Sequence, residues 1–86
     1  MDFKQLESFI TIAKYNSFSK AARELYLTQP TLSNHIQNLE SELGILLFDR
    51  KGKTIELTDA GKTFKNHAVE IIKKRDSAVF TINDII

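Results

Sequence analysis

Three residue groups in this chain carry chemistry, and none is catalytic. The first is the uncharged series Gln29, Pro30, Thr31, Ser33, Asn34 and Gln37, continued by Asn38 and Ser41. Amides and hydroxyls donate and accept at once, which is what the edge of a base pair requires: Asn or Gln pairs bidentately with adenine N6 and N7, and Ser or Thr suits several bases. A thymine methyl can pack on Pro30 or on the methyl of Thr31. The second group is the basic cluster Arg50, Lys51 and Lys53, which suits phosphate oxygens or a narrow minor groove. The third is an apolar series near the end of the chain. Against these stand no cysteine, two distant histidines (His35 and His67), no HExxH and no glycine-rich phosphate loop, so an enzyme, a metal site and a cofactor are not expected.

The elements that position these groups follow from periodicity. Phe3, Leu6, Phe9, Ile10 and Ala13 recur at helical spacing and predict a first helix over residues 2–15. Ser19 is the expected N-cap of a short second helix carrying Ala21, Ala22, Leu25 and Tyr26. Thr28 caps a third, with Pro30 in its first turn, where a missing N–H is harmless. Leu32, Ile36, Leu39 and Leu43 form its buried stripe and Gly44 ends it. At about 100° per residue the polar series lies on the opposite face. Glu40 and Glu42 show that the same helix uses charge elsewhere, so the uncharged arc is informative.

Leu46 and Phe48, then Ile55 and Leu57, alternate on either side of Asp49-Arg50-Lys51-Gly52-Lys53, which predicts a β-hairpin with a basic tip. Thr58-Asp59 opens a last helix free of later Pro or Gly beyond Gly61. Run to the end it would be roughly 40 Å long at 1.5 Å per residue, too long for so small a core to cover. Along it Phe64, Ala68, Ile71, Ala78, Ile82 and Ile85 form a seam interrupted only by Arg75, with Ile72, Val79 and Ile86 beside it. This stripe calls for a partner, and a second copy is the economical one. The expected division is a head over residues 1–58 and a protruding dimerisation helix over 59–86.

Composition agrees with a folded domain. Of 86 residues 42% are hydrophobic and 27% charged. Net charge is only +1, from 12 bases and 11 acids, so any positive field is local. Residues 1–46 hold four bases and five acids, whereas the cluster at 50–53 is wholly basic apart from Gly52. No apolar run approaches the roughly 18 residues that span a bilayer, and a cytoplasmic location is the default expectation.

A short helix, a tight turn and a longer helix with a polar N-terminal half make a helix-turn-helix, whose second helix enters the major groove. The fold class expected is therefore mainly α with a small β-hairpin, a winged helix-turn-helix followed by a long linker helix. Phe18-Ser19-Lys20-Ala21-Ala22, Thr28-Gln29-Pro30-Thr31-Leu32-Ser33, Leu39-Glu40, Leu43-Gly44, Leu47-Phe48-Asp49-Arg50 and Leu57-Thr58-Asp59-Ala60-Gly61 together resemble the N-terminal region of LysR-type transcriptional regulators. That resemblance implies a bacterial DNA-binding dimer, tetrameric in some members, with antiparallel linker helices and an inverted-repeat operator. It also implies a C-terminal domain for a small-molecule inducer, which is not among these residues. It assigns base reading to Gln29, Pro30, Thr31, Ser33 and Asn34, to which the polar arc adds Gln37. Ser19, Thr28, Arg50, Lys51 and Lys53 are candidate contacts to the DNA backbone or minor groove. His35 lies between the two faces of its helix and suits either packing or a phosphate. Asn34 and Gln37 stand where many members have a basic residue, which shifts the expected preference toward adenine, and Lys53 stands where an arginine is usual, which loses the planar fork favoured in narrow minor grooves. A winged-helix module that docks on protein through the same polar arc and apolar stripe is the alternative reading.

Overall fold

Each of the four helices begins at a side-chain oxygen that accepts an otherwise unpaired backbone N–H. The structure, a computed structural model, describes residues 1–51 and 54–86. It contains α1 (Phe3–Tyr15), α2 (Phe18–Glu24), α3 (Gln29–Leu43), β1 (Phe48–Asp49), β2 (Glu56–Leu57) and α4 (Asp59–Ile85). Asp2 and Gln5 close a reciprocal capping box on α1, at 2.8 and 3.1 Å. Thr28 caps α3 through the Thr31 N–H at 3.2 Å, and Thr58 caps α4 through the Gly61 N–H at 3.0 Å. Left-handed residues end two of the helices, Asn16 (φ 50°) after α1 and Gly44 (φ 71°) after α3.

The second helix differs from expectation. Its N-cap is Ser17, which accepts from the Lys20 N–H at 3.1 Å, and Ser19 lies inside the first turn. The earlier start places Phe18 beside Ala21 and Ala22 on the buried face, and burying a phenylalanine outweighs the choice between two serine caps. The helix ends at Glu24, so Leu25 and Tyr26 fall in the turn that leads to α3. Tyr26 adopts φ 56° there, while the Leu27 N–H reaches back to the Ala22 carbonyl at 2.9 Å.

The hairpin is antiparallel, pairing Phe48 with Leu57 and Asp49 with Glu56, but each strand has only two residues. The expected alternation of Leu46 and Phe48 fails: Leu46 is 65% exposed, and Leu47 and Phe48 are both buried. The cause is Glu40. Its carboxylate accepts the Leu47 N–H at 2.7 Å and the Phe48 N–H at 3.4 Å, holding residues 45–47 as a turn rather than a strand. Thr58 closes the other side, its hydroxyl donating to the Leu46 carbonyl at 2.8 Å and its N–H to the Leu47 carbonyl at 3.0 Å. Glu40→Ala is expected to cost about 1–3 kcal/mol by leaving these N–H groups unpaired. An unchanged urea midpoint would show that Glu40 does not hold the turn.

Phe9 is the hub of the core, with its ring 5.3 Å from both Phe48 and Phe64. Leu6, Ile12, Leu32, Ile36 and Leu39 complete it. The core reaches into α4, where Ala68 is fully buried and Phe64, Ile71 and Ile72 pack against it. The compact body therefore extends well past residue 58, the boundary expected from the sequence. From Asp76 onward every residue is exposed, and the molecule is 50 Å long and 26 × 20 Å in section.

Candidate nucleic-acid interface

The polar arc of α3 is displayed because its other side is committed. Leu32, Ile36 and Leu39 are fully buried. Leu43, the expected fourth member, is 37% exposed, since the helix ends at the rim of the core. Gln29, Pro30, Thr31, Asn34, Gln37, Asn38 and Ser41 are all exposed, and Ser33 is half-buried at the edge of the arc. The Thr28 hydroxyl both caps α3 and donates to the Thr31 hydroxyl at 2.9 Å, so it is held within the helix start, while Thr31 keeps its own proton to give. The Ser19 hydroxyl lies 3.1 Å from that of Ser17 at the exposed start of α2.

His35 is half-buried and its Nδ1 lies 2.8 Å from the hydroxyl of Ser8, itself buried on α1. Of the two roles open to His35, the geometry supplies the packing one: a polar tie between α1 and α3. Ser8 was invisible as a participant because it stands 27 positions away with no local signal.

Arg50 and Lys51 are exposed on the segment after β1. The guanidinium carbon of Arg50 sits 4.3 Å from the centre of the Phe18 ring, a cation–π contact that seats it beside the start of α2. Lys51 donates its backbone N–H to Asp49 at 3.0 Å. Lys53, the third member of the cluster, lies outside the described residues. One shallow depression is lined by Gln37 and Glu40 of α3 together with Arg50 and Lys51, so the polar arc and the basic residues share one surface. Two acids also line this depression: the Glu40 carboxylate is turned to the backbone of the following turn, and Asp49 accepts the Lys51 N–H. Among the described residues no cluster of His, Asp and Glu is arranged to hold a metal ion, and no helix is long and apolar enough to cross a membrane.

The apolar seam of α4 divides in two. Phe64 and Ala68, expected at a dimer interface, are used by the chain's own core, because Phe9 and the α1 face need covering. Ile71 and Ile72 are half-buried against the same core. Ala78, Val79, Ile82 and Ile85 are exposed. Phe80, also exposed, projects from the side of the helix opposite the seam, which is why a search by heptad spacing passes over it.

Comparison with known proteins places this geometry. Residues 3–62 match the family model described as "Bacterial regulatory helix-turn-helix protein, lysR family". The HTH-type transcriptional regulator CitR of Bacillus subtilis is 40% identical over 85 residues, which are 99% of this chain and 29% of that protein. In the crystal structure of the BenM_DBD/catB site 1 DNA complex, a chain 36% identical superposes with a TM-score of 0.95, covering 99% of this chain and 96% of that one. DarR of Vibrio fischeri, solved in complex with DNA, is 39% identical with a TM-score of 0.94, covering 99% of this chain and 29% of its own. The chain thus spans about three tenths of the length of the curated relatives it matches. Its four helices and small antiparallel hairpin are the winged helix-turn-helix of these DNA-binding domains, and the chain belongs to the lysR family of bacterial regulatory helix-turn-helix proteins.

Proposed function

We propose that this chain reads double-stranded DNA as a symmetric dimer and serves transcription regulation in the bacterial cytoplasm. The observation that carries the reading is the exposed, uncharged outer face of α3 lying on one surface with Arg50 and Lys51. In this account α3 enters the major groove, and Gln29, Pro30, Thr31, Ser33, Asn34 and Gln37 meet base edges. Ser19, Thr28, Arg50, Lys51 and Lys53 meet the backbone or the adjacent minor groove, and His35 keeps α3 in place. Relatives described as transcriptional regulators, and relatives solved with DNA, support it.

The free part of the α4 seam is the proposed dimer contact. An antiparallel second copy would lay its Ile82 and Ile85 near the apolar depression formed by Leu43, Ile45, Ala60 and Phe64 at the start of α4. Two-fold symmetry then calls for an inverted-repeat operator.

The two kinds of contact separate by experiment. Asn34→Ala is expected to lose about 1–3 kcal/mol at its own base-pair position and to relax preference there. Arg50→Ala with Lys51→Ala is expected to weaken every duplex alike and to lower the slope of log affinity against log salt by about one per lost phosphate contact in each head. Equal losses on all sequences from Asn34→Ala would remove it from the base readers.

A further inference from the structure

Arg75 is the one polar residue in the α4 seam, and neither base reading nor dimer contact uses it. Its Nη1 donates to the Glu7 carboxylate on α1 at 2.7 Å, and its Nε and Nη2 both donate to Asp76, at 3.1 and 3.0 Å. The same guanidinium lies 5.0 Å from the centre of the Phe3 ring, also on α1. Arg75 and Glu7 are 68 positions apart, so the pair does nothing for either helix alone and acts only between them. Arg75 is also the last residue of α4 that is not exposed. Everything beyond it projects.

We propose that the Glu7–Arg75 pair, stacked on Phe3, is a clamp that fixes the direction in which the projecting half of α4 leaves the head, and through it the half-site spacing that the dimer accepts. This rests on the reading of the chain as a dimeric reader of inverted repeats. The lever is short but sufficient. Ten residues of helix extend about 15 Å beyond the clamp, and a tilt of about 10° there displaces the tip by roughly 3 Å, close to the ~3.4 Å rise of one base pair. Two-fold symmetry doubles the displacement between the reading heads. A guanidinium suits the task because its rigid fork fixes direction as well as distance, which a lysine ammonium would not. The position of Arg75 inside an otherwise apolar seam, where an aliphatic residue would pair better with a second copy, has a reason on this account.

The test uses this 86-residue chain and the inverted repeat it selects, resynthesised with the spacer shortened or lengthened by one and two base pairs. Glu7→Gln removes the charge with almost no change in shape at a half-buried position outside the apolar core, where the effect on folding is small. The expected result is the same preferred half-site, an unchanged dimer mass and a preference for the best spacing over its neighbours that falls about three-fold, the scale of one partly exposed ion pair. Arg75→Lys, which keeps the charge and loses the fork, is expected to fall between the two. A spacing profile identical to that of the unmodified chain, in both variants, would overturn the clamp while leaving DNA reading intact. Failure of the unmodified chain to select any repeat would overturn the DNA reading and the clamp with it.

Discussion

A chain carrying Ile82→Glu and Ile85→Glu is expected to sediment as a monomer while its head stays folded. The two side chains are 55% and 76% exposed in the single chain, so nothing in the head depends on them. In a dimer they would be buried in an apolar contact, where four unpaired carboxylates are strongly unfavourable. Ile71, although on the same seam, is unsuitable for this test because it packs against the core and a charge there would damage the head itself. Operator affinity should fall with dimerisation by a factor of roughly 10²–10⁴, the scale of losing one of two linked binding events. Retention of the dimer mass would place the interface elsewhere.

Gly61→Ala is expected to destabilise the head strongly, against what helix propensity predicts. Propensity alone favours alanine over glycine in a helix by about 1 kcal/mol. Yet a Cβ on Gly61 would lie 2.1 Å from the Leu47 carbonyl oxygen and 3.0 Å from Leu57 Cδ2. That oxygen is backbone, fixed by the Thr58 N–H and by the Glu40 bond to the Leu47 N–H, so it cannot step aside as a side chain would. Overpacking of this kind costs about 1–3 kcal/mol and sometimes more, enough to reverse the propensity gain. With the clash on backbone the cost lies at the upper end, a net loss of about 1–2 kcal/mol after the propensity gain, and a fall of roughly 4–16 °C in the melting temperature is the expected reading. A melting temperature that holds or rises would mean that α4 can slide away from the turn, and that its seat on the head is softer than the packing indicates.

Elements with a strong local signal were legible before the structure. Thr28 with Pro30 announces α3, the spacing of Leu32, Ile36 and Leu39 orients it, and Thr58-Asp59 announces α4; all three features stand where the pattern puts them. The exposed polar face of α3 follows from the same spacing. What escaped was non-local. Ser17 displaced Ser19 as the cap of α2 because the core could then take Phe18, a tertiary preference that no capping rule contains. A period of two points past Leu47 to Leu46 and Phe48, because it assumes a strand where Glu40 bends the segment into a turn. Nothing near Glu40 in sequence shows that its carboxylate reaches seven residues ahead. Spacing puts Phe64 and Ala68 on the dimer seam, but it cannot say which part of an apolar stripe the chain's own core will cover. Phe18 as the seat of Arg50 carries no sequence signal at all.

Selection of bound sequences from a random duplex pool by this chain, with the binding repeated across a salt series, tests whether the dimer reads DNA. Enrichment of an inverted repeat, bound by two copies, is the expected result, with affinity falling steeply as salt rises. A folded and dimeric sample that enriches no sequence would contradict it, and would leave the polar face of α3 without its proposed partner.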